Sequence, residues 1–246
     1  MSEPEIYNPW PAGCRFRCME KPPARDRVWR LVVLGPPGIG KGTQACFLED
    51  RLGACHLSTG NMFHAVLQPD VRLTPELEGA RERSQRGRLG ADRTVLRLIE
   101  GRRPCFECGL GFLLDGFPRT MEQARALDAM LAELGKKLDA VLSYDLDDEV
   151  LVKRMKGRRY CPKCSRTYHM RYNRPRVGEV CDACGTMLVQ REDDRPDSMM
   201  RRIKNFHKNT WPVLDHYDAK GKLIKIDAMG TPAQVAERTM HALKQL

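Results

Sequence analysis

Short apolar segments alternate with segments of helical periodicity from Val28 to the end of the chain. Apolar runs predict five strands, in WRLVVLG, ACHLS, GFLLDGFP, LDAVLSYDL and LIKIDA. Apolar residues spaced three and four positions apart predict helices between them. These helices occupy GKGTQACFLEDRLG, Asn61–Leu67, Pro75–Arg86, Asp92–Glu100, TMEQARALDAMLAELG, DDEVLVKRM and TPAQVAERTMHALKQL. Strands that alternate with helices predict an α/β fold of three layers, whose parallel central sheet is covered on both faces.

Helix ends are marked by residues that suit them. Gly53 and Gly135 are expected to close the first helix and the long amphipathic helix, and Thr231 with Pro232 to open the last one. The amphipathic helix should bury one apolar face, formed by Met121, Ala124, Leu127, Met130, Leu131 and Leu134.

Two segments depart from the alternating pattern. Residues 1–27 are Pro-rich and mixed in charge, which predicts a flexible N-terminal extension. Residues 156–191 are rich in Cys, Arg, Gly and Pro.

Composition favours a soluble globular protein with anionic partners. Of the 246 residues, 41% are hydrophobic and 30% charged, and the formal net charge is +10. No apolar run approaches the roughly 20 residues of a membrane span, so no membrane association is expected. The N-terminal segment lacks an apolar stretch and carries acidic residues, so neither a secretory signal nor a transit peptide is predicted. Ten cysteines in such a chain are expected to be thiols or metal ligands, which predicts a cytoplasmic protein.

GPPGIGKGTQ follows the first predicted strand and opens the first predicted helix. Its glycines let the backbone approach an anion, and the helix N-terminus favours negative charge. Lys41 would reach the β- and γ-phosphates of a nucleotide, and Thr43 would hold Mg²⁺ directly or through water. The alternative is a Gly-rich turn without a ligand.

CPKC at 161–164 and CDAC at 181–184 are separated by sixteen residues. This spacing is typical of a tetrahedral zinc site made by Cys161, Cys164, Cys181 and Cys184. Four thiolates leave no open coordination position, so the metal is expected to be structural. Iron would also suit these ligands, but zinc is the commoner occupant.

Positive charge is concentrated around these cysteines. Residues 154–191 contain ten Lys or Arg residues against Glu179 and Asp182, with three tyrosines interspersed. One interpretation is a nucleic-acid-binding zinc ribbon, and the other is a flap that closes over polyphosphate.

Together these motifs resemble the adenylate kinases, in the long form that carries zinc in its lid. The resemblance runs from about Val28 to the C-terminus. It rests on GPPGIGKGTQA, LSTGNM, GFLLDGFPRT with Gln123, GRRYCPKCSRTYH, REDDRPDSMMRRI and IDA. It implies a P-loop NTPase-type core formed by residues 28–57, 89–153 and 192–246. It also implies a helical NMP-binding domain at 58–88 and a zinc-binding lid at 154–191.

The resemblance implies reversible transfer of a phosphoryl group from MgATP to AMP, giving two ADP. ATP would lie on Gly38, Ile39, Gly40, Lys41, Gly42, Thr43, Arg158, Thr167, Tyr168 and Gly230. AMP would lie on Thr59, His64, Arg88, Leu89, Gly90, Gly116, Phe117, Pro118, Arg119, Gln123, Arg191 and Arg202. The catalytic set implied is Lys41, Arg119, Arg158, Arg191 and Arg202. Asp115 would hold Mg²⁺ through water, and the family suggests a monomer.

Two residues depart from the usual family pattern S-T-G-D-M-x-R. Asn61 lacks the carboxylate that would order water around Mg²⁺, and His64 replaces an arginine expected on the AMP phosphate. The sequence therefore predicts weak AMP binding that improves below about pH 6.5, where imidazole becomes charged. Two alternatives are that Arg72 or Arg93 supplies the missing charge, and that the acceptor is CMP, UMP or GMP instead of AMP.

The remaining cysteines form a second pattern. Cys14 and Cys18, with Cys105 and Cys108, precede two strands that should be neighbours in the sheet, so a second Cys₄ zinc site is one hypothesis. Cys46 and Cys55 are expected to pack in the core. A non-catalytic zinc-ribbon nucleic-acid binder is the remaining alternative to a kinase. It is disfavoured because Lys41, Arg119 and Arg158 are all present.

Overall fold

The computed structural model describes residues 27–60, 92–107, 109–164, 166–190 and 194–246. Its strands are β1 (Trp29–Leu34), β2 (Cys55–Ser58), β3 (Gly111–Asp115), β4 (Ala140–Asp145), β5 (Arg158–Tyr160), β6 (Thr167–His169) and β7 (Leu223–Asp227). Its α-helices are α1 (Lys41–Leu52), α2 (Asp92–Glu100), α3 (Arg103–Glu107), α4 (Met121–Glu133), α5 (Asp148–Lys156), α6 (Pro196–Asn205), α7 (Trp211–Ala219) and α8 (Pro232–Leu243). A π-helical turn, Phe206–Thr210, joins α6 to α7.

Five strands form a parallel sheet in the order β2-β3-β1-β4-β7. The predicted neighbours β1 and β3 pair directly, with Trp29 opposite Gly111 and Val33 opposite Asp115. β2 pairs with β3 so that Ser58 lies opposite Asp115. Since parallel strands end at the same edge, the loops after β1, β2 and β3 meet there, where ligands bind in open α/β sheets.

Apolar side chains cover both faces of this sheet. One cluster includes Leu31, Leu113 and Leu142 and packs against α1, α5 and α8. The opposite cluster includes Val32, Phe112 and Val141 and packs against α4 and α7. Alternate residues of the central strands thus point to opposite faces and are completely buried. The predicted three-layer α/β architecture is confirmed.

The predicted helix ends also agree with the structure. Gly53 adopts a left-handed conformation with φ of 62°, and its N–H donates to the Glu49 carbonyl. The Thr231 side chain accepts from the Gln234 N–H, while Gln234 accepts from the Thr231 N–H, which completes a capping box. α4 buries the predicted apolar face.

Three features were not predicted. α3 lies in the segment that contains Cys105, and α6, the π-helical turn and α7 follow the lid as an almost continuous helical stretch. β5 and β6 form an antiparallel hairpin with Arg158 opposite His169. α5 continues to Lys156, so the predicted lid boundary at residue 154 falls in the last turn of a helix.

The helices predicted at Asn61–Leu67 and Pro75–Arg86 lie outside the described residues, as do residues 1–26. Within the described ranges, each helix is too short or too polar to cross a lipid bilayer.

Candidate active site and lid metal centre

The Gly-rich loop connects β1 to α1, as the sequence predicts. Gly40 has φ of 100° immediately before the helix, a conformation in which an L side chain would be strained. Ile39 is buried, which anchors the loop to the sheet, whereas Gly42 and Thr43 are exposed in the first turn of α1. The exposed helix N-terminus therefore faces solvent with its backbone N–H groups available for an anion.

Lys41 folds back over this loop. Its Nζ donates to the carbonyl oxygens of Gly35 at 2.8 Å and Pro36 at 2.9 Å. Burial is the main cause that lowers the Lys41 pKa to about 7; the positive charges of three arginines act in the same direction, and Asp115 opposes them. Such an ammonium group is well placed to gain an anionic partner.

The three arginines are Arg119, Arg158 and Arg202, and each comes from a different part of the chain. Arg119 follows β3, Arg158 begins β5, and Arg202 lies on α6. All three act electrostatically on Lys41, and Arg202 also lowers the pKa of Arg119, after burial as the main cause. The four cations identified from the sequence are therefore close enough to influence one another's charge.

Asp194 connects two of these arginines. Its Oδ1 lies 3.5 Å from Nη1 of Arg158 and 3.5 Å from Nη1 of Arg202, and its side chain is 1% exposed. Sequence reasoning did not assign a role to Asp194, although REDDRPDS places three consecutive acidic residues directly after the predicted site residue Arg191.

The loops after β2 and β3 touch each other at the predicted AMP end. Thr59 Oγ1 lies 3.0 Å from the Gly116 carbonyl and 3.2 Å from that of Asp115, and donates toward both. Gly116 has φ of 75°, and a Cβ there would lie 2.7 Å from the Arg119 guanidinium. Arg119 also donates through Nε to the Gly116 carbonyl at 2.6 Å. Glycine at this position thus lets the arginine fold across the loop.

Gln123 is buried rather than exposed, with 2% of its surface accessible. Its Oε1 accepts from the Arg119 backbone N–H at 2.7 Å, and its Nε2 donates to Asp92 Oδ1 at 2.7 Å. Phe117 packs in the core, and its bond to Pro118 is cis. These contacts hold the backbone of the DGFPR loop.

Asp115 lies at the carboxyl end of β3, beside Gly42 of the phosphate-binding loop. Its Oδ2 is 3.3 Å from His56 Nε2. Burial favours the protonated carboxyl group, but the His56 hydrogen bond and the nearby Lys41 charge outweigh this and lower the Asp115 pKa. Sequence reasoning missed His56, because its position next to Asp115 depends on the pairing of β2 with β3.

The four predicted zinc ligands converge. Cys161 Sγ lies 3.4 Å from Cys184 Sγ, and Cys164 Sγ lies 3.4 Å from Cys181 Sγ. With zinc–sulfur bonds of about 2.3 Å, tetrahedral geometry puts neighbouring sulfurs about 3.8 Å apart, so the arrangement fits a Cys₄ zinc centre. Cys161, Cys181, Tyr168 and Leu188 form a small buried cluster of their own, against which the half-buried Cys184 packs.

Tyr168 supports the metal centre from within the lid. Its hydroxyl lies 3.4 Å from Cys181 Sγ, and this hydrogen bond lowers the Cys181 pKa to about 6. It also accepts from the Asp182 N–H at 2.9 Å. The Tyr168 side chain is thus directed into the lid, whereas Thr167 next to it is exposed.

Gly230 lies in the exposed loop between β7 and α8 with φ of 105°. Cys55 is fully buried, as predicted, but Cys46 is exposed, so its expected place in the core is wrong. The inward face of α1 is formed by Gln44, Ala45, Leu48, Glu49 and Leu52, and Cys46 lies beside that face.

Part of the predicted site lies outside the described residues. This part comprises Asn61, His64, Arg88, Leu89, Gly90 and Arg191. Most of the hypothetical second zinc site also lies outside the described residues, namely Cys14, Cys18 and Cys108. Cys105 itself is buried in the apolar cluster beside β3.

The profile of the family described as "Adenylate kinase" matches residues 33–222. The chain belongs to the adenylate kinase family. An adenylate kinase of Caldicellulosiruptor saccharolyticus is 41% identical over 218 residues, which cover 88% of this chain and 98% of the relative. Those of Streptomyces griseus subsp. griseus and Carboxydothermus hydrogenoformans are each 42% identical over 216 residues. These alignments cover 87% and 88% of this chain and 97% and 100% of the relatives.

The family assignment agrees with the geometry. An adenylate kinase needs a phosphate-binding loop with several cations near it, and the described residues contain both. The predictions of an enzyme and of its nucleoside monophosphate kinase class are confirmed, and the alternative of a non-catalytic nucleic-acid binder is not favoured. Adenylate kinases use Mg²⁺ with ATP, and the cysteine cluster is compatible with structural zinc.

Proposed function

We propose that this chain transfers the γ-phosphoryl group of MgATP to AMP and so forms two molecules of ADP. The proposal is supported by the proximity of Arg119, Arg158 and Arg202 to Lys41 in the phosphate-binding loop, with Arg158 and Arg202 both held by Asp194. Phosphoryl transfer spreads negative charge over three equatorial oxygens, and a group of cations around a single cleft matches this charge distribution.

The ATP phosphates lie across the N-terminus of α1 and the residues from Gly38 to Thr43. Lys41 exchanges its two backbone carbonyl acceptors for phosphate oxygens, and its pKa then rises from about 7. Arg158, Thr167 and the backbone of Tyr168 approach from the lid, and the loop at Gly230 approaches from the core. Mg²⁺ neutralises the β- and γ-phosphates when bound, with Thr43 and Asp115 in position to hold it.

AMP lies against the loops after β2 and β3. Thr59 and Gly116–Arg119 line this end, and Gln123 fixes the loop backbone. His64, Arg88, Leu89 and Gly90 are assigned to the AMP site, and Arg191 to the bridge between the nucleotides, on sequence resemblance.

The AMP phosphate is itself an anionic nucleophile, so the reaction requires no general base. Catalysis then consists of alignment and neutralisation of charge. Guanidinium groups suit this task because their planar donors bind phosphate oxygens in pairs. Lid closure over bound nucleotides is established for adenylate kinases, and here it excludes water, which would otherwise accept the phosphoryl group.

Three domains share these tasks. Residues 28–57, 89–153 and 192–246 form the core, residues 58–88 bind AMP, and residues 154–191 form the lid, with residues 1–27 as an extension. Zinc stabilises the lid and takes no part in the chemistry, since four thiolates fill its coordination shell. The enzyme acts as a monomer in the cytoplasm, whose reducing conditions suit the free thiols found among the described cysteines.

A kinase of the same fold with another acceptor is the second candidate, because His64 departs from the family pattern. An assay of ADP formation from MgATP with AMP, CMP, UMP or GMP distinguishes the two. We expect turnover to be highest with AMP. A clear preference for a pyrimidine or guanine nucleotide would contradict the proposal.

The Lys41→Met variant is the matched control for this assay. It keeps the length of the side chain but removes the charge, so activity with every acceptor should be lost. Salt-sensitive RNA binding without turnover in the wild-type protein would instead favour a nucleic-acid-binding role.

A further inference from the structure

Cys46, Glu49 and His56 form a second group of metal-binding side chains. One ligand atom of each lies within 4.8 Å of those of the other two. His56 Nδ1 is 3.9 Å from Glu49 Oε2, and the Cys46 thiol completes the group within the same 4.8 Å. The cluster is separate from the lid cysteines and from the phosphate-binding loop.

Helix and strand geometry bring these three residues together. Cys46 and Glu49 are three positions apart on α1, so both side chains lie on one side of that helix. His56 extends from β2, which follows α1 after a two-residue connection. Glu49 and His56 are 3% and 8% exposed, whereas Cys46 is exposed. An ion thus has an entry path from solvent at the sulfur and two buried partners behind it.

The second ring nitrogen of His56 is already held. Nε2 lies 3.3 Å from Asp115 Oδ2, so the imidazole is oriented with Nδ1 toward Glu49. A histidine that binds metal through one nitrogen commonly donates its other N–H to a carboxylate, which fixes the ring and increases its basicity. Here the Asp115 carboxylate contacts Nε2 of His56, and Nδ1 of the same ring faces the proposed metal position.

We propose that Cys46, Glu49 and His56 bind a divalent transition-metal ion of the zinc type, with water in the fourth position. A thiolate, an imidazole and a carboxylate are ligands that zinc and cobalt accept, whereas magnesium and calcium prefer oxygen ligands alone. Binding displaces the thiol proton of Cys46 and the Nδ1 proton of His56 into solvent, and no electrons are transferred. The site is open, in contrast to the closed Cys₄ centre of the lid.

His56 lies between two carboxylates, with Nδ1 toward Glu49 and Nε2 toward Asp115. The chain supplies three ligands here, one of them exposed, against four thiolates in the lid. We therefore expect the second site to be weaker than the lid centre and to fill after it.

The test is cobalt titration of the full-length protein whose lid is loaded with zinc. Cobalt bound to a thiolate gives charge-transfer absorption in the near ultraviolet, which is read together with metal content after gel filtration. We expect one further equivalent of metal in the wild-type protein. In Cys46→Ser, this equivalent and its absorption should be lost, while the zinc in the lid is retained.

Two further variants decide the identity of the site. Asp115→Asn should weaken cobalt binding about 10–100-fold, because it removes the carboxylate that orients His56. Cys14→Ser/Cys18→Ser should have no effect on it. No further equivalent in the wild-type protein, or one that persists in Cys46→Ser and disappears in Cys14→Ser/Cys18→Ser, would overturn the proposal. The second result would instead support the N-terminal cysteine cluster.

Cadmium NMR gives a readout independent of affinity. Cadmium bound by four thiolates resonates far downfield of cadmium with one thiolate and nitrogen and oxygen ligands. We expect two resonances in the fully cadmium-loaded wild-type protein and the downfield one alone in Cys46→Ser. A single downfield resonance in the wild-type protein would contradict the second site.

Discussion

Arg158 at the start of the lid hairpin lies 3.5 Å from Asp194, at the point where the chain has returned to the core. The same carboxylate oxygen is 3.5 Å from Arg202 on α6. One buried negative charge therefore holds together two guanidinium groups that would otherwise repel each other. Asp194 is buried beside the two arginines and would act through them, so we regard it as a positioning residue.

Asp194→Asn should reduce both stability and turnover. The amide leaves the guanidinium groups without a counter-charge, and we expect a loss of about 1–3 kcal/mol in the free energy of unfolding, measured in urea. The value of kcat should fall at least tenfold, because the arginines no longer point into the cleft together. Asp197→Asn is the control, since Asp197 is exposed in the first turn of α6 and should change stability by less than about 0.5 kcal/mol. Equal kcat in wild type and Asp194→Asn would contradict the positioning role.

ATP binding should take up a proton near pH 8. The Lys41 pKa is about 7 in the free protein, so about nine in ten of these side chains are neutral at pH 8. Phosphate oxygens favour the ammonium form and raise the pKa. Calorimetry of MgATP binding in buffers of different ionisation enthalpy should therefore show uptake of nearly one proton at pH 8 and little at pH 6.

Lys41→Arg provides the control for this experiment, because guanidinium stays charged throughout the range. Its binding enthalpy should not depend on the buffer at pH 8. Proton uptake that is the same in this variant and in the wild type would assign the effect to another group.

Removal of His56 should destabilise the protein most at low pH. Burial disfavours the imidazolium, but hydrogen bonds to Asp115 and Cys46 outweigh it and raise the pKa to about 10 from 6.5. Because the His56 pKa is higher in the folded than in the unfolded state, the charged imidazole stabilises the folded protein. This stabilisation is fully present below about pH 6.5 and is lost as the pH rises through 10. We expect His56→Gln to cost about 3–5 kcal/mol at pH 6 and progressively less toward pH 10.

The stability of His56→Gln has to be compared with that of the wild type at each pH, because another buried group also changes stability with pH. Lys41 acts in the opposite direction, because its pKa is lower in the folded state and its destabilising effect is relieved as the pH rises from 7 to 10.5. Both proteins retain Lys41, so the difference between them reports on His56. Urea unfolding at pH 6, 8 and 9.5 measures it, and a difference that is constant with pH would contradict the raised pKa.

Metal removal should unfold the lid and leave the core folded. The buried cluster of the lid consists of Cys161, Tyr168, Cys181 and Leu188, too small to be stable without its metal. In Cys181→Ser, hydrogen exchange should become fast in β5 and β6 but stay slow in β1, and activity should be lost. Cys46→Ser is the matched control and should keep the lid protected. A protected, active lid in Cys181→Ser would show that zinc is dispensable.

The central sheet could be predicted because its signals are local. β1 and β3 are continuous apolar runs, and α1 and α8 have capping residues at their ends. α6 was not predicted because most of its residues are polar and it buries only Met199 and Ile203. α7 begins at Trp211 followed by proline, a residue that usually marks a boundary, and here it follows a π-helical turn.

The site was predicted where a residue belongs to a sequence motif. Lys41 and Arg119 are examples, since their neighbours in the chain identify them. His56 and Asp194 were missed because their partners are distant in sequence: strand pairing brings His56 to Asp115, and the lid brings Arg158 to Asp194. Cys46 was misplaced because a cysteine in an apolar helix pattern suggests burial, while the register of α1 puts it beside the inward face.

His64→Arg should restore tight AMP binding. This prediction rests on the sequence, since residue 64 lies outside the described residues. A neutral imidazole offers one donor where the family usually has a guanidinium, and a charged hydrogen bond to phosphate contributes about 1.5–3 kcal/mol. We therefore expect the variant to bind AMP about 10–100-fold more tightly at pH 8 than the wild type.

The pH dependence of AMP binding separates this explanation from compensation by another arginine. The wild-type affinity should improve as the pH falls below about 6.5, because the imidazolium then supplies the missing charge, whereas His64→Arg should show no such improvement. Calorimetric titrations with AMP at pH 6 and pH 8 measure both, and MgATP affinity should be equal in the two proteins at each pH. If wild-type AMP affinity is micromolar and does not change with pH, another cation binds the AMP phosphate. Arg93, which lies exposed on α2, would then be the first residue to replace.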